Sequence, residues 1–243
     1  MSTPGNALSD PVWGCEYWEI PSLGDSSLRV CQVSVGNIEA LATSIVNTVI
    51  DKSWMADIDG LTRKGYEAAV SMTAPLLVAL VSDVASSGSL TEDFGEIMIS
   101  VGSSRALSAM YGHLPLPISE LWKPKSRNNE GFDFHTVCPN ELINFGEAKY
   151  SGSSSPHGIA ISQISGFLQN KKHLMDVHYL GTLCSPASMG RLDLDEFGII
   201  AAFSVNGLDH GVILTNASKT AKQLAESHEL AQVLLVGVTY AAK

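Results

Sequence analysis

Apolar positions recur along this chain with more than one period, and each period predicts a different element. Two runs within residues 12–35, VWGCEYWEI and LRVCQVSV, are rich in β-branched and aromatic residues and are separated by the turn-prone PSLGDSS. They predict two strands. From Ile38 to Ala85 the apolar spacing lengthens to three or four residues, through Leu41, Ile45 and Val49 and then Ala69, Met72, Leu76 and Leu80, which predicts helices. The most apolar stretch, Ala68 to Ala85, contains Pro75 and Asp83 and falls short of a membrane span of about 20 residues, so a buried helix is expected there. Thr91 followed by acidic residues marks a helix start, and EDFGEIMISVGSSRALSAMYG continues as a helix despite Gly95 and Gly102.

Past a proline-containing connector the period shortens again. GFDFHTVC (131–138) alternates, Pro139-Asn140 marks a turn, and LINFGEAKY (142–150) returns as a second strand, so the pair predicts a β-hairpin. The SGSSSPHG loop leads into a helix from about Gly158 to Val177 with Ile161, Ile164, Phe167 and Leu168 on one face. FGIIAAFSV (197–205) and GVILTN (211–216) are strand candidates, SKTAKQLAESHEL a helix and QVLLVGVTY a closing strand. The order helix–strand–strand–helix–strand–helix–strand behind a mainly helical leader is an α/β pattern. It divides the chain into an N-terminal strand/helical region, 1–89, and a core, 90–243.

Composition adds two constraints. With 45% hydrophobic and only 16% charged residues over 243 positions, a disordered chain is excluded. The net charge of −10 argues against a protein that coats nucleic acid by neutralising phosphates. That charge is uneven: residues 1–104 carry −9, residues 105–191 carry +2 and residues 192–243 carry −3. Chemistry on a polyanion therefore belongs in the middle third. Cys15, Cys31, Cys138 and Cys184 form no Cys-x-x-Cys pair and no zinc spacing, and read as thiols of a reducing compartment. MSTPGNALSDP has neither a basic nor an apolar leader character, and a soluble cytoplasmic protein is expected.

The hairpin carries the chemistry. Asp133 lies on its first strand and Glu147 and Lys149 on its second; Glu147 and Lys149, two apart, project from one face. Pairing about Pro139-Asn140 brings Asp133 to the same end of the sheet as Glu147. Two carboxylates placed together repel unless a divalent cation separates them. An all-oxygen site with few carboxylates suits Mg²⁺, and Mn²⁺ can take its place. A neighbouring lysine can orient a water and offset charge building on a phosphate. The same residues also fit a cross-strand ion-pair face on a solvated hairpin.

With these motifs the segment resembles the PD-(D/E)XK nuclease superfamily, whose restriction-endonuclease-like core is a helix, a β-hairpin, a second helix and a mixed sheet. GFDF (131–134) is similar to the first-acid motif and GEAK (146–149) to the acid-x-lysine motif, over a resemblance spanning roughly residues 90–240. In FGEIM (94–98), Glu96 stands where such nucleases often place an extra metal-linked glutamate. QISGF (163–167) is similar to the Gln-x-x-x-Tyr element of the RecB-like branch, with Phe167 in place of Tyr, and Phe132 replaces the Pro of the superfamily name. The closing strand–helix–strand is similar to Mrr-like members.

The resemblance implies a metal-dependent DNA endonuclease. Asp133 and Glu147 would hold the metal with the Ala148 carbonyl as a third ligand, Lys149 would position the water, Glu96 would orient a second water, and Gln163 would contact DNA or support the acids. The acidic leader and motif order are also similar to Hachiman-type anti-phage nuclease subunits, which implies a helicase or ATPase partner.

Lys123, Lys125 and Arg127 before the hairpin, and Lys171 and Lys172 after it, are candidates to line a DNA groove, although a solvated surface accounts for them equally. His135, two residues from Asp133, is a candidate contact to the site or the substrate. Two other readings stand beside the defence effector: a stand-alone restriction endonuclease, and an inactive scaffold keeping only the fold. No G-x-S-x-G elbow, P-loop or G-x-G-x-x-G is present.

Overall fold

Strands rich in Val, Ile and Ala are covered on both faces, and they build the centre of the molecule. The computed structural model describes residues 7–87, 91–123, 131–207 and 209–240. Its strands are β1 (Leu8–Asp10), β2 (Cys15–Glu19), β3 (Leu28–Val35), β4 (Leu114–Pro115), β5 (Phe134–Val137), β6 (Ile143–Lys149), β7 (Gly198–Ser204) and β8 (Gln232–Tyr240). They form one mixed sheet in the order β1-β2-β3-β8-β7-β6-β5-β4. The four inner strands β3, β8, β7 and β6 are parallel, and antiparallel hairpins extend each edge. Every residue of β7 is buried, as a parallel strand sandwiched between helices requires.

Helices α1 (Ile38–Ile50), α2 (Gly60–Ser87) and α3 (Glu92–Tyr111) cover one face. There Leu41, Ile45, Phe94, Met98 and Ile99 pack with Ile200, Ala202, Leu234 and Val236 of the sheet. On the other face, α5 (His157–Gln169) and α9 (His210–His228) pack Ala160, Ile164, Leu214 and Ala221 onto Ile199, Ala201 and Leu235. Four short helices, α4 (Ser119–Trp122), α6 (Lys172–Met175), α7 (Val177–Leu183) and α8 (Pro186–Asp193), complete the connections. The fold is α/β. The Asn37 side chain caps α1 by accepting from the N–H groups of Glu39 and Ala40, and Thr91 caps α3 through the Phe94 N–H.

The two strands expected within residues 12–35 form as β2 and β3, with β1 ahead of them, and β3 pairs with β8 from Leu28 to Val35. Three expectations change. GVILTN begins α9 instead of forming a strand, because the Asp209 carboxylate accepts from the Val212 N–H and starts the helix there. The helix expected to reach Val177 stops at Asn170, where Lys171 takes φ 52°, and restarts as α6. Finally, α2 is only half-buried. Tyr66, Val70, Ala74, Leu77 and Val81 face the core, while Leu61, Met72 and Leu76 are more than 70% exposed. Among the described residues, Gly60–Ser82 is the one helix long and apolar enough to cross a membrane, at mean hydropathy 1.3.

One close approach seats α3 on the sheet. A Cβ on Gly95 would come 2.1 Å from Tyr150 Cγ, so the helix lies against the Tyr150 ring only because residue 95 has no side chain. Gly95→Ala is expected to cost about 2 kcal/mol or more, because helix or ring must shift. A lowered urea midpoint with unchanged m-value checks it; an unchanged midpoint contradicts it.

Candidate active site

The site is built at the C-terminal end of β6, the end of parallel strands where α/β proteins place their ligands. Phe134 of β5 lies opposite Gly146 of β6, which sets Asp133 across from Glu147. The Asp133 N–H donates to the Gly146 carbonyl at 2.8 Å. Gly146 leaves the space that the Phe134 ring fills, since a Cβ there would come 2.5 Å from Phe134 Cζ. Just past the end of the β5 ladder, the Ala148 N–H donates to Asp133 Oδ2 at 2.8 Å. That bond holds the Asp133 carboxylate at the edge of β6.

Glu147 is fully buried, and neither of its carboxylate oxygens receives a hydrogen bond of good geometry. Its neighbour across β7 is the small Ala201. Lys149 Nζ lies 2.9 Å from Glu147 Oε1 as an ion pair and donates to Glu96 Oε1 at 3.1 Å. The lysine thus joins the first turns of α3 to the end of β6. Among the described residues, no group of three or more His, Cys, Asp or Glu is gathered to hold a metal ion. Asp133 and Glu147 stand together, while Glu96 is reached through Lys149.

Burial raises both facing acids. It pushes the Asp133 carboxyl up to about 6, with Glu120 and Glu96 adding repulsion and the Ala148 N–H and Lys149 opposing it. Burial, then the charge of Asp133, pushes Glu147 well above the usual carboxylate range. Lys149 is pulled down by burial, but Glu147, Asp133 and Glu96 outweigh that and hold it above its ordinary value. The donor chemistry fits a hard divalent cation: two facing carboxylates, a fully buried Glu147 whose one near donor is the Lys149 ammonium, and charge that the single lysine does not balance.

The other expected residues separate. Gln163 is half-buried on α5 and forms no hydrogen bond with Asp133, Glu147 or Lys149. Phe167 packs edge-on against Phe132 with ring centroids 5.2 Å apart, in the core. Lys171 and Lys172 follow the far end of α5, a helix of about 20 Å. Lys171 shares a polar hollow with Asp195, Glu196, Phe197 and Glu229, beside the starts of β7 and β8, so these lysines lie at the opposite end of the sheet from Lys149. Lys125 and Arg127 lie outside the described residues.

His135 and Lys123 are engaged within the protein, His135 fully buried and Lys123 half-buried. His135 has no exposed surface; its Nε2 lies 3.3 Å from Asp176 Oδ2, and its Nδ1 lies 3.3 Å from Ser119 Oγ. Lys123 Nζ lies 2.7 Å from Asp176 Oδ1. Burial pushes Asp176 up, yet His135 and Lys123 outweigh it and hold its carboxyl below the usual range. This buried cluster ties α4, β5 and the α6–α7 junction together directly behind Asp133. Sequence reasoning missed Asp176, which stands far along the chain in a segment with no motif. It also missed the lock on the loop after β6, where Ser204 Oγ accepts from the Ser151 N–H at 2.9 Å and the Asn206 side chain donates to the Ser151 and Ser154 carbonyls.

No protein-family model, curated protein or solved structure matches the chain.

The raised acids make a pH prediction. A carboxyl whose folded pKa exceeds its unfolded value destabilises the folded state once ionised. The penalty is absent below the unfolded pKa of 3.8 and complete above about 6. Asp133→Asn is therefore expected to match wild type near pH 4 and to exceed it in Tm by roughly 5 °C at pH 7.5 without divalent cations. Equal Tm values at both pH values contradict the assignment.

Proposed function

We propose that this protein is a metal-dependent endonuclease that hydrolyses DNA phosphodiester bonds on a restriction-endonuclease-like core. The observation that carries this reading is the facing of half-buried Asp133 and fully buried Glu147, both raised in pKa, with Lys149 at 2.9 Å from Glu147. In this reading Asp133, Glu147 and the Ala148 carbonyl hold Mg²⁺ or Mn²⁺. The cation would polarise a phosphate oxygen and acidify a water.

Lys149 begins protonated, since its carboxylate partners hold its pKa up. It therefore positions the attacking water and offsets negative charge on the phosphate, and does not start as a base. A bound cation would compete with Lys149 for Glu147 and so weaken part of what holds its pKa up, while Glu96 would still oppose the effect of burial. Glu96, joined to Lys149, fixes the direction of the ammonium group. Gln163 remains a candidate DNA contact from α5.

The acidic leader supports a partnered enzyme over a stand-alone restriction endonuclease. A net charge of −9 on residues 1–104 repels phosphates, so the lone chain would hold DNA weakly at physiological salt. A helicase or ATPase partner would then deliver the strand, as in an anti-phage effector. The rival in which the hairpin is an inactive ion-pair face of a scaffold predicts the same contacts but no cleavage.

Plasmid cleavage by the full chain, measured with Mg²⁺ and with EDTA, separates them. Glu147→Ala and Lys149→Ala are each expected to lower Mg²⁺-dependent cleavage by at least ~100-fold, and EDTA to abolish it. Wild-type activity in both variants, or cleavage insensitive to EDTA, overturns the assignment. No cleavage by any form, alone or with a helicase encoded beside it, favours the scaffold.

A further inference from the structure

Half-buried His157 opens α5 at the end of the sheet where β6 finishes, and the contacts around Asp133 and Glu147 leave it without a part. Phe203 of β7 is the ladder partner of Lys149 on β6, so the two side chains lie on one face of the sheet. The His157 ring lies 5.7 Å from the Phe203 ring. With about 4.8 Å between neighbouring strands, the imidazole stands roughly 10 Å from the Lys149 chain. The loop that delivers it is tied down: Ser155 Oγ donates to the Asn206 carbonyl and accepts from the Asn206 N–H. His157 is therefore carried on fixed backbone beside the acids.

Its two ring nitrogens have different surroundings. Nδ1 is buried and has no hydrogen-bond partner, whereas Nε2 is open to solvent and forms no hydrogen bond among the described residues. A proton on Nδ1 would be a buried donor without an acceptor; on Nε2 it faces open space, so the neutral ring presents an N–H outward. The first turn of α5 around it holds no acidic residue. An outward donor with no carboxylate beside it selects an acceptor, and an anionic oxygen gains most from it. The lysines expected to hold DNA do not serve this place: Lys123 is bound to Asp176, and Lys171 and Lys172 lie at the other end of the sheet. On the reading of the acids as a phosphodiester hydrolase, on which this rests, we propose that His157 Nε2 donates to a non-bridging oxygen of a DNA phosphate next to the one cleaved. At its distance from Lys149 the ring does not share the phosphate that the lysine meets, and so takes its neighbour along the strand.

Thymidine bisphosphate, with one phosphate on each sugar oxygen, is the probe. It is titrated with Ca²⁺ into the full chain, isotopically labelled at the histidine nitrogens and followed by NMR; the His157 ring signals are those absent from His157→Gln. A saturable shift of the Nε2 signal is expected, with Kd of roughly 1 mM or tighter. In Mg²⁺-dependent DNA cleavage, His157→Ala is expected to raise KM about 10-fold while kcat falls less than about 3-fold. His157→Gln keeps an N–H donor and is expected to recover most of that loss. A His157 signal unmoved up to about 10 mM bisphosphate, a wild-type KM in His157→Ala, or a loss confined to kcat overturns the inference. If the bisphosphate shifts His157 saturably but the wild-type chain cuts no DNA, hydrolysis is the reading that fails and the phosphate contact stands.

Discussion

The carboxylates of half-buried Asp133 and fully buried Glu147 face each other at the end of the β5–β6 hairpin, and one lysine stands between them and a third acid. Much of the local structure is explicable as what is needed to hold that arrangement. A buried pair of like charges is unfavourable; it persists where backbone pairing fixes both residues. Here the ladder bonds of the hairpin and the Ala148 N–H fix Asp133, and β7 walls in Glu147. The strain of the pair is the same property that would attract a divalent cation, so stability without metal and affinity for metal are opposed.

Close packing makes the arrangement specific. Missing side chains at Gly95 and Gly146 admit the Tyr150 and Phe134 rings, which set α3 and β5 at the distances where Glu96 reaches Lys149 and Asp133 meets Glu147. Behind the hairpin, Asp176 draws His135 and Lys123 into a buried ion cluster that anchors the strand carrying Asp133. In front of it, the serine-rich loop after β6 is tied to Ser204 and Asn206 at the end of β7. The acids are therefore supported on both sides by groups that do not themselves reach them.

Much of this was legible in the sequence, for reasons that differ by element. The hairpin could be read because its alternation, its Pro139-Asn140 turn and its two-residue Glu147–Lys149 spacing are local, and local pairing alone brings Asp133 opposite Glu147. β3 and β7 were legible as strands because they are short, continuous apolar runs. GVILTN misled because β-branched residues favour strands, while the Asp209 cap and the residues that follow decide for helix. The exposed side of α2 was hidden because Met72 and Leu76 continue an apolar pattern without facing the core. Lys171 and Lys172 looked close to the site along the chain, but a full helix carries them to the other end of the sheet. The Asp176 cluster joins three distant segments, and nothing local announces it.

Everything rests on whether the facing carboxylates take up a divalent cation. The most direct measurement is Mn²⁺ titration of the full chain near pH 7.5, followed by electron paramagnetic resonance of the free ion, with wild type beside Asp133→Ala and Glu147→Gln. The account predicts that wild type removes the free Mn²⁺ signal saturably, that Mg²⁺ competes for the same site, and that each substitution abolishes the uptake. Undiminished free Mn²⁺ in the presence of wild type, or equal uptake by both variants, would contradict it.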